Sequence, residues 1–168
     1  MGPSSDTAST PAVRAQGLTR RYGPVEALRG IDLEVARGES LFLSGDNGSG
    51  KTTLLGLLAG LGNPGSGTLE IFGQSAPLET DLRRRIGMVA HDTWLYPDLA
   101  AASNLAYYAR LYGVDEGKAT AALAKVGLGG LDDRPIRSYS RGMAQMVSLA
   151  RAVVHEPDLL LLDEPFTG

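Results

Sequence analysis

Eight consecutive residues, Gly45–Asp46–Asn47–Gly48–Ser49–Gly50–Lys51–Thr52, constrain this chain more than any other part of it. They separate a short apolar run, Ser40–Leu41–Phe42–Leu43–Ser44, from Thr52–Thr53–Leu54–Leu55–Gly56–Leu57–Leu58. The first run predicts a strand, and the leucine spacing of the second predicts a helix. Glycines let successive backbone N–H groups curl around an anion, and the positive N-terminal end of the helix points at the same place. The spacing is G-x-x-x-x-G-K-[ST], and strand, loop and helix in that order are the context in which it holds phosphate. Gly45, Asp46, Asn47, Gly48, Ser49 and Gly50 then form the cradle, and Lys51 reaches the β- and γ-phosphates. Thr52 offers its hydroxyl to Mg2+, with Thr53 beside it at the helix start. The ligand described by these groups is ATP with Mg2+.

A second feature lies near the other end. Leu159–Leu160–Leu161–Leu162 is an apolar run of strand length, the pattern of a strand buried on both faces. It delivers Asp163 and Glu164 to a strand's C-terminal end, where ligands of open α/β sheets bind. Asp163 suits Mg2+, directly or through water, and Glu164 is placed to orient or deprotonate an attacking water. Alone, such a pair equally ends a strand in solvent; the phosphate loop upstream gives it chemical meaning.

Further strands are predicted over Val13–Leu18, Ile31–Val35, Gly67–Phe72 and Ile86–Ala90. Ala100–Tyr112 and Asp115–Val126 read as helices of a small insert, and a last helix opens at Ser140 and ends near Pro157. Residues 1–12, rich in Ser, Thr and Pro, read as a disordered tail, because they bury too little to offset the entropy of ordering. The remainder has the length of one domain.

Charge and composition narrow the function. A net charge of -3 supplies no broad basic field, so no nucleic-acid partner is expected. The absence of cysteine removes disulfides, thiolate-bound zinc and thiol nucleophiles, and fits a reducing cytoplasm. The longest apolar stretch, Leu54–Leu61, falls far short of the roughly 20 residues of a spanning helix. Docking on a membrane partner needs only a surface patch and stays open.

Tyr139–Ser140–Arg141–Gly142–Met143–Ala144–Gln145 precedes Asp163 by some two dozen residues, and from here the chain resembles the ATP-binding subunits of ABC transporters. Their signature reads L-S-G-G-Q; Ser140 and Gly142 match it, while Tyr139, Arg141 and Met143 depart. By itself Ser140 is an ordinary N-cap and Gly142 eases a first turn. The resemblance implies an α/β fold: a P-loop NTPase core with an antiparallel β part at the N-terminal side and a small helical insert. The ATP-binding domain would span 13–168, with the helical subdomain at about 98–140. It also implies a homodimer, or pairing with a second ATP-binding subunit, in which Ser140 and Gly142 contact the ATP of the other protomer.

The same resemblance places Tyr22 on adenine, although a lone Tyr before Gly is more often packing. It makes Lys51, Glu164 and His91 catalytic, and Thr52, Asp163 and His91 the metal's neighbours. His91 stands where most members have a glutamine that touches Mg2+ and links the site to the transport subunit. A neutral imidazole serves there, while a protonated one repels the metal. His91 and Asp163–Thr167 look like the haem-exporter ATPases of cytochrome c maturation. Trp94–Leu95–Tyr96–Pro97 fall where the family meets its membrane-spanning transporter subunits, although aromatics at such spacing equally suit a core; the resemblance puts the chain peripherally on the cytoplasmic face of the membrane. Members continue beyond Gly168 with further strands, helices and a histidine, so the C-terminal portion is expected to be missing and part of the sheet uncovered. Two alternatives share the motifs: a non-transport ABC ATPase, and a nucleotide-binding module without turnover.

Overall fold

The computed structural model describes residues 10–130 and 133–164, which divide into two compact units, one up to Glu79 and one from Thr80 onward. In the first unit Val13–Tyr22 (β1) and Val25–Val35 (β2) form an antiparallel hairpin turned at Gly23–Pro24. Ser66–Ile71 (β3) pairs with the other edge of β1, and Gln74–Ser75 (β4) closes the order β2-β1-β3-β4. Val13, Ala15, Leu18, Leu28, Leu69 and Ile71 are buried, as alternation along half-buried strands requires. The strands outrun the apolar stretches that predict them, because ladder hydrogen bonds carry the polar run Thr19–Tyr22 through the hairpin.

Of the expected tail, residues 1–9 lie outside the described residues. Ala12 is already part of the sheet region: its N–H donates to Val35 O at 2.8 Å, and its carbonyl accepts from Phe72 N at 2.9 Å. Lys51–Leu58 (α1) follows the glycine-rich loop and buries Leu54, Leu55, Leu57 and Leu58.

One expectation fails in this unit. Ser40–Ser44 forms no strand; Phe42 is 88% exposed and Leu41 is also exposed. A short apolar run becomes a strand only when neighbours pair its N–H and C=O groups, and among the described residues none pairs with it.

The second unit begins with a single helical turn, Thr80–Arg83 (α2), followed by Ile86–Val89 (β5). Ala101–Tyr112 (α3), Gly117–Lys125 (α4) and Arg141–Val153 (α5) pack around Leu105, Ala109, Leu123, Val147 and Ala150. A 3-10 turn, Ile136–Ser138, leads into α5. Leu159–Leu162 (β6) pairs with β5 in parallel, Ile86 opposite Leu159 and Val89 opposite Leu162. Burial of β6 on both faces is not found: Leu161 is buried, but Leu160 and Leu162 are 39% and 40% exposed. Alternate side chains take opposite faces of a strand, and here only one face is covered. Among the described residues no helix is long and apolar enough to cross a membrane.

Candidate functional site

The phosphate loop is built by backbone conformation. Gly45, Gly48 and Gly50 have φ of 154°, 82° and 95°, in the half of the map that side chains resist. Gly50 is the tightest case: a Cβ there would overlap Ala27 O and stand 2.9 Å from Leu28 Cδ2, so only glycine lets α1 start against β2. Gly50 caps α1 without a side-chain bond, and no acidic residue stands in the first turn. The N–H groups that open the helix therefore keep their positive end for an external anion. Lys51 Nζ donates to Gly45 O at 2.7 Å and to Asp46 O at 3.0 Å, which folds the ammonium over the loop. Ser49 N donates to Asp46 O at 3.1 Å and closes the loop's turn. Thr52 is exposed beside it and Thr53 half-buried.

The carboxylates arise from strand pairing in the second unit. Val89 lies opposite Leu162, and Asp163 N donates to Val89 O at 2.9 Å. His91 and Glu164 each stand two residues past that pair, so they leave the same end of two adjacent parallel strands. Asp163 is 6% exposed, while His91 and Glu164 are exposed. Glu164 has φ 48°, a strained value that re-aims the chain directly after the carboxylate. A threonine hydroxyl, as at Thr52 in the first unit, and an aspartate carboxylate, as at Asp163 in the second, are each hard oxygen donors of the kind Mg2+ takes. No cluster of three or more His, Asp or Glu exists among the described residues, and Mg2+ held mainly by phosphate and water needs none.

Ser140 caps α5: its Oγ accepts from Met143 N at 3.2 Å, which leaves the hydroxyl hydrogen to donate elsewhere. Gly142 is exposed, and a Cβ there would meet no atom within 4 Å, so nothing inside the described chain requires glycine. Tyr22 is exposed, with the Arg20 guanidinium 4.9 Å from its ring centroid. Arg20 in turn donates to Asn63 O at 2.7 Å.

Sequence reasoning missed a third group. Arg151, Ser148 and Tyr108 bind β5 at Met88 and the segment that follows it at Thr93 and Trp94, and the available signal was a charged residue on the apolar stripe of α5 beside Val147 and Ala150.

A glycine-built loop that feeds an uncapped helix, and a buried Asp at the end of a parallel strand, define a nucleotide-binding α/β domain of the P-loop class. The ABC transporter family profile matches residues 28–167, and the chain belongs to that family. It is 35% identical over 176 residues to the Nod factor export ATP-binding protein I of Ralstonia nicotianae, covering 99% of this chain and 53% of that protein. It is 35% identical to the ABC transporter ATP-binding protein NatA of Bacillus subtilis, over 86% of this chain and 61% of that one. To the daunorubicin/doxorubicin resistance ATP-binding protein DrrA of Streptomyces peucetius it is 36% identical, over 97% and 51%. The chain thus spans about half the length of the curated relatives it matches. Among solved structures it is similar to the ATP-binding cassette MJ0796, a dimer in a post-hydrolysis state with ADP and Pi. The TM-score is 0.82 at 26% identity, covering 92% of this chain and 75% of that one. ATPases of this family bind ATP, usually with Mg2+, and hydrolyse it.

Proposed function

We propose that the chain is the ATP-binding and ATP-hydrolysing part of an ABC transporter subunit, peripheral on the cytoplasmic face of the membrane. It drives a membrane-spanning partner by ATP-dependent pairing of two such subunits. Both compact units would belong to one ATP-binding domain over 13–168, with the helical part at about 98–140. The observation that carries this reading is the loop Gly45–Thr52: left-handed glycines, an uncapped helix start and Lys51 turned onto the loop.

In this reading the loop N–H groups and Lys51 hold the β- and γ-phosphates. Thr52 and Asp163 are the residues that would offer oxygen ligands to Mg2+, which when bound would neutralise charge on the phosphate oxygens. Glu164 accepts a proton from the attacking water, and His91 hydrogen-bonds beside it. Tyr22 offers the ring face away from Arg20 to adenine. Ser140 and Gly142 serve the partner's nucleotide; the hydroxyl hydrogen of Ser140 and the open approach at Gly142 support that assignment.

The relatives' printed names speak of Nod factor export and drug resistance, which are statements about those proteins. The narrower haem-exporter reading rests on His91 and the run from Asp163 alone. Purified full-length protein tests the proposal. ATP turnover abolished by Glu164→Gln with ATP binding retained supports it. Binding without turnover in the unsubstituted protein selects the alternative of a module that does not turn over.

A further inference from the structure

Arg151 is 4% exposed, yet among the described residues no ion pair involves it and its Nε has no hydrogen-bond partner. Its Nη2 donates to Met88 O at 2.6 Å. Its guanidinium carbon lies 5.1 Å from the Trp94 ring centroid and 5.3 Å from that of Tyr108. One turn earlier on α5, the buried Ser148 donates Oγ to Thr93 O at 3.2 Å. The Tyr108 hydroxyl donates to Trp94 O, and Trp94 itself holds φ 52°, a left-handed value that a bulky residue keeps only when its surroundings hold it. Gly87 admits this close approach, since a Cβ there would overlap Ala152 O and stand 2.8 Å from Pro157 Cγ.

One guanidinium thus grips the chain three residues before His91 and three residues after it. A buried, unpaired cation is a poor stabiliser, because desolvation opposes its charge and an apolar side chain of similar volume fills the space at no loss. The grip, rather than stability, is what this residue supplies.

We propose that Arg151 is a positioning residue for His91: by clamping Met88 and Trp94 from α5 it fixes where the imidazole stands in the assembled ATP site. The proposal rests on the role given to His91 above. It also ties His91 to the helix that Ser140 begins, so that the two ends of α5 serve two parts of the site.

The test uses full-length protein with Arg151→Met and Arg151→Lys. Turnover, ATP affinity and melting temperature are measured, together with the part of the fluorescence spectrum that Trp94→Phe removes. Arg151→Met lowers turnover on the order of tenfold to a hundredfold, as misplacement of a catalytic group does. ATP affinity and melting temperature are unchanged, and Trp94 emission shifts to the red. Arg151→Lys keeps the charge without the planar stack, so it recovers turnover only in part. Wild-type turnover in Arg151→Met overturns the clamp, as does a turnover loss matched by losses of affinity and melting temperature. Unsubstituted protein that neither binds nor hydrolyses ATP defeats the proposed function instead. In that event an unshifted Trp94 emission in Arg151→Met overturns the clamp and a shifted one sustains it.

Discussion

Asp163 donates its backbone N–H to the carbonyl oxygen of Val89 at 2.9 Å, the last hydrogen bond between two parallel strands. That bond sets the register at the strand ends, so His91 and Glu164 each stand two residues past the last strand pair and are exposed, while Asp163 is buried. A shift of one residue in β6 would send the Asp163 side chain to the opposite face.

Gly50 is where the phosphate loop meets β2. Gly50→Ala forces a side chain into a left-handed φ of 95° and against Ala27 O. The expected cost is on the order of 3 kcal/mol in urea unfolding, with loss of ATP binding in whatever remains folded. Wild-type stability in this variant contradicts the described loop.

Asn104 is fully buried and satisfied on both sides of its amide. Its Oδ1 accepts from Tyr96 N at 2.7 Å, and its Nδ2 donates to Tyr96 O, Leu99 O and Ala100 O at 3.1, 3.2 and 3.1 Å. Asn104→Ala takes the acceptor from Tyr96 N and one donor from each of three carbonyls, which keep the backbone N–H groups of Leu99, Ile136 and residue 104 itself, and is expected to cost about 1–3 kcal/mol. Asn104→Asp, which turns an acceptor toward three carbonyls, costs more. Chemical denaturation of both variants checks the order.

His155 stacks on Tyr112 with ring centroids 3.8 Å apart, and one ring nitrogen meets Ile86 O at 3.2 Å. Burial holds its pKa below the ordinary value; the Ile86 carbonyl opposes this, and nearby Arg151 adds to it. The unfolded chain then takes up the proton first, so stability is whole above the unfolded pKa of about 6.5 and is lost as pH falls below it toward the folded value. His155→Phe keeps the stack and removes the titration. The fall in melting temperature between about pH 7.5 and 5.5 is therefore smaller in that variant; an equal fall assigns the acid sensitivity to other groups.

Phe42 separates two pictures of the run before the phosphate loop. In the 168-residue chain it is 88% exposed, so Phe42→Ser is expected to change stability by no more than about 0.5 kcal/mol. A phenylalanine in a central strand would cost about 3–5 kcal/mol on truncation. Urea unfolding of Phe42→Ser beside the unsubstituted chain distinguishes them.

The loop and the helix after it were legible because their chemistry is local: glycines at fixed offsets, then Lys51, then leucines at helical spacing. α3, α4 and α5 were legible for the same reason, and Ser140 caps its helix as its residue type suggests. Ser40–Ser44 and Leu159–Leu162 read alike as apolar strands, yet only the second is paired, and on one face it is open. Pairing depends on which strands come alongside, and periodicity does not carry that. Arg151 escaped for a related reason. An Arg on the apolar stripe of α5 marks a buried charge, but which backbone and ring it meets depends on the fold that brings Met88 O and the ring of Trp94 to it.

The central claim is a triphosphate held by Gly45–Thr52, and isothermal titration of Mg-ATP into folded protein tests it most directly. Saturable heat in the unsubstituted chain, with affinity lowered by about a hundredfold in Lys51→Ala, is the expected result. No heat from well-folded protein, or equal affinity in Lys51→Ala, contradicts it.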